Sequence, residues 1–406
     1  MTAVRNEGAR ASTGFLVLAG AMSAFPSVTT DIYLPALPQL TESLHGVTAQ
    51  GQQTLAMYFL GLGIGQLFYG PWSDRAGRKP TMLIGAAVYL LASFGCAIAT
   101  SMEQMIALRF MQGVGACSGV VISAAIVRDR YEHQQAAGIF SMLLLARGLG
   151  PIVAPLIGGL IVTFAGWRAI FWALAVFAAG LGLSVLAGLP ETRTQAVLDR
   201  ARAESPIAAY LAALKNPRIL GYMLTNGANF ACMFAWIAAA PYMLIGVYKI
   251  PALYFGWIFG INAAGFMIMS QVNRRLLRRY KADRLMCVGA VGCAVAAAAL
   301  LLSAMTGVGG TLGIFVPLFL VVSSLGLVST NAMAGGLSVD PSRAGSVSAL
   351  FGICQYALGG LATVAGAFVS HQTVFAMSAV IFVCALAAVI FPIRLMLGWR
   401  RTAASA

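Results

Sequence analysis

Twelve times in succession this chain runs through a stretch of about 20 residues that is almost wholly apolar. The runs lie at roughly 14–37, 53–72, 81–100, 105–127, 136–163, 168–189, 219–245, 254–273, 285–305, 311–334, 345–369 and 374–397. A helix of that length rises about 30 Å, the thickness of the hydrocarbon core of a bilayer. In lipid each backbone N–H and C=O must find its partner within the protein, so such runs are confined to helices. With 60% of residues hydrophobic and 9% charged, a water-soluble domain could not hide this much apolar surface. An all-α membrane protein with twelve transmembrane helices is therefore expected.

Most connections are under about 12 residues and leave no room for a separate soluble domain. One stretch differs: PETRTQAVLDRARAESPIAAYLAALKNPR, residues 190–218, is polar and charged and lies midway along the chain. The expected organisation is a six-helix bundle over 1–189, a cytoplasmic linker over 190–218 and a second six-helix bundle over 219–406.

Positive charge orients the helices, because loops rich in Lys and Arg stay in the cytoplasm. Of the 26 Lys and Arg residues, only Arg168 and Lys249 fall in loops on the far side if the N-terminus is inside, and Arg109 and Arg147 fall within spans. Both termini are thus expected to be cytoplasmic. The same asymmetry accounts for the net charge of +14, which in a soluble chain would suggest nucleic acid; no nucleic-acid partner is expected here. The apolar run that follows MTAVRNEGAR continues past residue 25 with no small-residue cleavage site, and reads as a retained first helix. All seven Cys lie inside spans without metal-ligand spacing, and His45, His133 and His371 lie in loops. Neither a disulfide framework nor a metal site is expected.

Ionisable groups inside the spans are the informative exceptions, since each is costly unless it faces a partner or a wet cavity. Asp31, Arg109 and Arg147 are those groups. Asp31 lies roughly 9 Å before the outer end of the first span and Arg109 roughly 6 Å after the outer start of the fourth, so the two share a depth. One reading is a structural ion pair. The other is that Asp31 takes up and releases a proton, with burial disfavouring a carboxylate and a nearby guanidinium favouring it. Arg147 lies near the middle of the fifth span with no acid left in the spans to neutralise it, so it faces either a cavity or freed carbonyls. Pro26 and Pro35 interrupt the first span, and Gly148, Gly150, Pro151, Pro155, Gly158 and Gly159 crowd the fifth; they serve close packing, bending, or both.

Three motifs carry a resemblance. GPWSDRAGRKP (70–80) resembles the loop signature of the major facilitator superfamily, ALRFMQGVGACSG its fourth-helix motif, and GPIVAPLIGG (150–159) the fifth-helix signature of its drug/proton antiporters. More narrowly, DIYLPALP, YFLGLGIGQLFYGPWSDRAGRKP and STNAMA (329–334) resemble the Bcr/CflA group of multidrug exporters, which includes bicyclomycin resistance proteins. Ser141 and Ala154 stand where the fifth-helix signature usually has Gly, and Arg147 where a small polar residue is usual.

The resemblance implies the major facilitator fold, two six-helix bundles. Asp31 would couple transport to protons with Arg109 as its regulator. Gly70, Asp74, Arg75, Gly77, Arg78 and Lys79 would form a cytoplasmic gate, in which Gly77 permits a tight turn and Asp74 meets the positive end of the eleventh helix. Gly150, Pro151, Pro155, Gly158 and Gly159 would form the antiporter motif. Polar and aromatic residues within spans nominate a cavity lining: Tyr33, Met57, Tyr58, Arg147, Asn226, Asn229, Phe230, Asn262, Asn331 and Gln355, although each amide could equally be interhelical glue.

The expected function is proton-coupled multidrug efflux by alternating access. With Asp31 committed to protons and Arg147 positive, neutral or weakly charged antibiotics such as bicyclomycin, phenicols or sulfonamides are the expected cargo. The alternative is a proton-coupled exporter of a metabolite such as an amino acid, peptide or cysteine-like compound. No catalytic constellation marks an enzyme. The proton gradient is the expected energy source, with no cofactor. The expected setting is the bacterial inner membrane and lipid bilayer, as a multi-pass functional monomer.

Overall fold

A computed structural model describes residues 12–131, 133–193, 195, 198–199, 205–369 and 373–404. Among these the regular elements are all helical. In chain order they are α1 (Thr13–Tyr33), a 3₁₀ turn (Leu34–Ala36), α2 (Leu37–Ser43), α3 (Thr48–Ala76), α4 (Arg78–Ile98), α5 (Met102–Arg130), α6 (His133–Ala165), α7 (Trp167–Gly188), α8 (Pro206–Lys215), α9 (Pro217–Pro241) with a π-helical turn (Tyr242–Val247), α10 (Ala252–Leu276), α11 (Ala282–Thr306), α12 (Gly310–Val339), a 3₁₀ turn (Pro341–Arg343), α13 (Ala344–Val369) and α14 (Thr373–Ala404).

Local sequence explains several of the ends. Ser12 and Ser101 place a hydroxyl on the third N–H of the following helix, and Asn216 with Pro217 behind it caps α9. Gly77 separates α3 from α4 with φ of 109°, a region that residues with a Cβ avoid. Pro35 and Pro38 tighten the end of the first span without ending it, so Thr13–Ser43 runs as one membrane-length unit. Among the described residues, eleven helical segments are long and apolar enough to cross a bilayer by length and composition. The expected second span corresponds to α3, which is 29 residues long but is diluted by Gln52, Gln53, Gln66, its glycines and its aromatic hydroxyls.

The chain divides into two compact units, residues 1–208 with 251–256, and 209–250 with 257–406. In the first, α3 and α4 pack on α5, α4 also on α7, and α1 lies against α5 and α6. Small residues let these helices touch. Gly61 and Gly113 have no room for a Cβ because each abuts the backbone of the facing helix, α5 and α3 respectively, and Gly85 is closed by Ser118. Pro26 has no N–H, so the Met22 carbonyl one turn earlier loses its helical donor; Gly119 of α5 sits directly against that oxygen. In the second unit, α9 packs on α12, α13 and α14, and α11 on α12 and α14. There Gly359 is filled by the Phe234 ring and Gly326 meets the α10 backbone at Ser270.

Candidate functional site

Arg109 lies at the centre of the first unit and is fully buried. Its guanidinium is held between two aromatic faces, 4.3 Å from the ring centroids of both Tyr33 and Tyr58. One amino group donates to Gln112 Oε1, whose amide in turn donates to Ser93 Oγ at 2.8 Å. The rings are fixed from outside: Tyr58 donates to the Pro26 carbonyl at 3.0 Å, and Tyr33 bonds Thr54 through its hydroxyl. Nε and Nη2 of Arg109 have no hydrogen-bond partner among the described residues.

Asp31 is also buried, at 3% exposure, and its Oδ2 has no hydrogen-bond partner among the described residues. The two groups form no ion pair. Helical phase explains why two groups at one depth stay apart. Arg109 meets α1 through Tyr33, and a residue two positions earlier projects from roughly the opposite side of the helix. The neighbouring turns of α1 contact α6: Gly150 lies beside Ser27, and Gly158 abuts the Ile32 carbonyl. Of the other motif residues in α6, Gly159 faces the Ala252 carbonyl within the same unit, and Pro151 and Pro155 withhold donors from the carbonyls of Arg147 and Pro151. Arg147 is half-buried and donates from Nε to Ser23 Oγ of α1 at 2.6 Å.

Between α3 and α4 the charged loop forms a second constellation. Arg78 is 3% exposed, bonds Ser73 Oγ and Asp74, and donates from Nε to Asp129 Oδ2 at 2.8 Å. Asp129 lies in the last turn of α5 between Arg128 and Arg130, and its only mark in the sequence is that place within an arginine run. A third acid, Glu191, was missed as well. Its carboxylate accepts the Arg78 and Lys79 backbone N–H groups at 2.9 and 3.1 Å, covering the positive start of α4. Gly77 makes this approach possible, because a Cβ there would come within 2.6 Å of Glu191 Oε2. Arg193 grips the Arg75 carbonyl, and Lys79 Nζ donates to the Leu186 carbonyl at 2.7 Å. Gly70 has open space around it, so nothing local demands glycine there.

In the second unit Asn331 and Asn273 form a continuous bridge from α12 to α10. Asn331 Nδ2 donates to Asn273 Oδ1 at 2.8 Å, and Asn273 Nδ2 to Thr330 Oγ1 at 2.9 Å. Asn229 donates to Ser324 Oγ at 3.3 Å and Cys293 Sγ at 3.4 Å. Asn226 and Asn262 are buried; Phe230 and Gln355 are half-buried, as is Met57 in the first unit. Phe230, Phe234 and Tyr356 form an aromatic row with centroid separations of 6.1 and 5.9 Å.

Two units of membrane-length helices, with isolated buried charges in one and buried amides in the other, are those of a polytopic membrane protein, and the family that its sequence matches is one of transporters. The chain belongs to the Major Facilitator Superfamily, whose family model matches residues 16–364. It is 31% identical over 348 residues to a bicyclomycin resistance protein homolog of Haemophilus influenzae, covering 86% of this chain and 87% of that one. To a chloramphenicol resistance protein of Pseudomonas aeruginosa it is 31% identical over 344 residues, covering 82% and 78%. Its fold is similar to that of an auto-inhibited POT family peptide transporter, with a TM-score of 0.77, 16% identity and coverage of 96% and 97%.

Proposed function

We propose that this protein is a proton-coupled multidrug exporter of the bacterial inner membrane, with both termini in the cytoplasm, which carries neutral or weakly charged antibiotics. The relatives named for bicyclomycin and chloramphenicol resistance support the cargo class, since they align over four fifths or more of the chain. The observation that carries the coupling is Asp31: a buried carboxyl whose Oδ2 has no hydrogen-bond partner among the described residues, unpaired with Arg109, on the helix α1 that packs along the one bearing GPIVAPLIGG. A carboxyl so placed is neutral when protonated and exposed to strong desolvation when charged, so its proton exchanges only when one side of the membrane gains access. Loading from outside and release inside, alternating with drug movement in the other direction, couples the two fluxes. Arg109, locked between two tyrosines, supplies a fixed positive field in the same bundle. The cycle needs the proton gradient and no cofactor, and a monomer contains every part.

The test is efflux from a pump-deficient host across an antibiotic panel, for the native chain and Asp31→Asn. Resistance with the native chain and its loss with Asp31→Asn, at equal membrane levels, is expected. Resistance unaltered by Asp31→Asn removes this residue from coupling, and export of amino acids or peptides without antibiotic resistance identifies a metabolite carrier instead.

A further inference from the structure

In the first unit α1 and α7 meet where the Phe25 and Phe177 rings lie 5.6 Å apart, and toward the start of α1 and the end of α7 a groove of about 620 Å³ opens between them. Its walls recur at helical spacing, with Gly14, Leu18 and Ala21 on α1 and Phe177, Gly180 and Ser184 on α7. The glycines here differ from those that pack helices. Gly61, Gly113 and Gly119 abut facing backbone, whereas a Cβ on Gly14, Gly180 or Gly188 would meet nothing within 4 Å. They hollow the groove instead of tightening a contact. Ser184 donates its hydroxyl to the Gly180 carbonyl at 2.7 Å, so the wall is apolar there too.

One end of the groove is charged. Arg130, in the last turn of α5, lines it, with its guanidinium 5.3 Å from the Phe15 ring, which itself packs on Tyr131 at 5.5 Å. The neighbouring acid, Asp129, is engaged by Arg78, and no acid among the described residues pairs with Arg130.

These features select an occupant. The groove runs between two helices of membrane length and opens beside Val17, which is 61% exposed. An unfilled groove forfeits dispersion contacts, and in a bilayer acyl chains are the filler at hand. From Phe177 to Gly188 α7 rises about 16 Å, close to half of the roughly 30 Å hydrocarbon core and so to the depth of one leaflet. A chain lying there brings its headgroup to Arg130, which favours net negative charge over a zwitterion. The protein's own first residues match less well, since 1–11 hold Arg5 and Arg10 against Glu7 and share the sign of Arg130.

We propose that the groove between α1 and α7 holds an acyl chain of an anionic phospholipid whose phosphate is bound by Arg130. With that end of the bundle in the cytoplasm, as proposed above, the lipid belongs to the inner leaflet; the site itself depends on neither that orientation nor the cargo. The lipid is thereby seated against α1, the helix that bears Asp31.

The test is photolabelling of the full chain in phosphatidylcholine nanodiscs that contain a trace of diazirine-tailed phosphatidylglycerol or diazirine-tailed phosphatidylcholine, with labelled peptides mapped by mass spectrometry. Peptides of α1 and α7 should take the phosphatidylglycerol probe about fivefold more than the phosphatidylcholine probe, and inorganic phosphate should not compete. Arg130→Gln should abolish the preference and Arg130→Lys retain it. Gly180→Leu, whose side chain enters open space, should reduce labelling by both probes while the protein stays monodisperse, and Gly188→Leu repeats the measurement at the other end of the groove. Equal labelling of the native chain by the two probes, or a preference that survives Arg130→Gln, overturns the anionic site. Unchanged labelling in both glycine variants overturns the groove as its seat. Competition by inorganic phosphate makes it a site for free anions instead, and stronger labelling after deletion of residues 2–10 gives the groove to that segment of the chain; either result overturns the lipid assignment.

Discussion

Arg78 is the residue whose partners separate this structure most sharply from a reading of its motif alone. In the motif the acid is Asp74, four residues earlier, yet the Asp74 side chain is 38% exposed while that of Asp129 is 8% exposed and that of Arg78 4%. Replacing Asp129 by Ala leaves the buried guanidinium with only Ser73 and the more exposed Asp74, and should cost about 3 kcal/mol, the low end for removing one member of a buried pair. Replacing Asp74 removes a pair that water already screens, at about 1 kcal/mol or less. The difference corresponds to roughly a thirty-fold or greater change in the ratio of folded to unfolded protein. Arg78→Met combined with Asp129→Leu should recover much of the loss, because an apolar pair fills the same volume without desolvation. The assay is reversible unfolding of the purified protein in mixed micelles, arranged as a double-mutant cycle over Arg78 and Asp129. Equal costs for Asp74→Ala and Asp129→Ala, or strict additivity of the Arg78 and Asp129 changes, would refute the assignment of Asp129 as the main partner.

Other outcomes follow from the same geometry. Gly158→Ala places a methyl against the Ile32 carbonyl and should lower stability by about 1–3 kcal/mol, whereas Gly180→Ala, with open space, should be neutral; thermal unfolding compares them. Arg147→Ala should change which antibiotics are carried, and Ser23→Ala should change them in the same direction through the 2.6 Å bond; identical resistance profiles would return both to packing. If one proton enters for each neutral molecule expelled, an inside-negative potential of about 100 mV contributes about 2.3 kcal/mol and sustains a drug ratio of roughly fifty-fold without a pH difference. Proteoliposomes clamped at equal pH and given a potassium diffusion potential measure this, and a ratio near one would exclude that stoichiometry.

The fold was legible because a bilayer tolerates so few backbone arrangements that counting apolar runs nearly suffices. Depth was legible too, from helical rise. Azimuth was not: Asp31 and Arg109 share a level, but only the placement of Tyr33 against Arg109 reveals that the acid lies on the other side of α1. The roles of Asp129 and Glu191 are not legible in the sequence, because isolated acids among arginines look like ordinary loop charge and their contacts close over 51 and 113 residues. Asn273, at the very end of the expected eighth run, was likewise unremarkable until α12 brought Asn331 to it.

The clasp of Glu191 and Arg193 on the α3–α4 turn has a mechanical meaning. The residues that follow α7 hold not that helix alone: Glu191 binds the first turn of α4, Arg193 the last turn of α3, and Arg78 carries the link to the end of α5. The exit of α7 is thus fastened to three other helices of its bundle, α3, α4 and α5, by contacts that a sequence shows only as scattered loop charge.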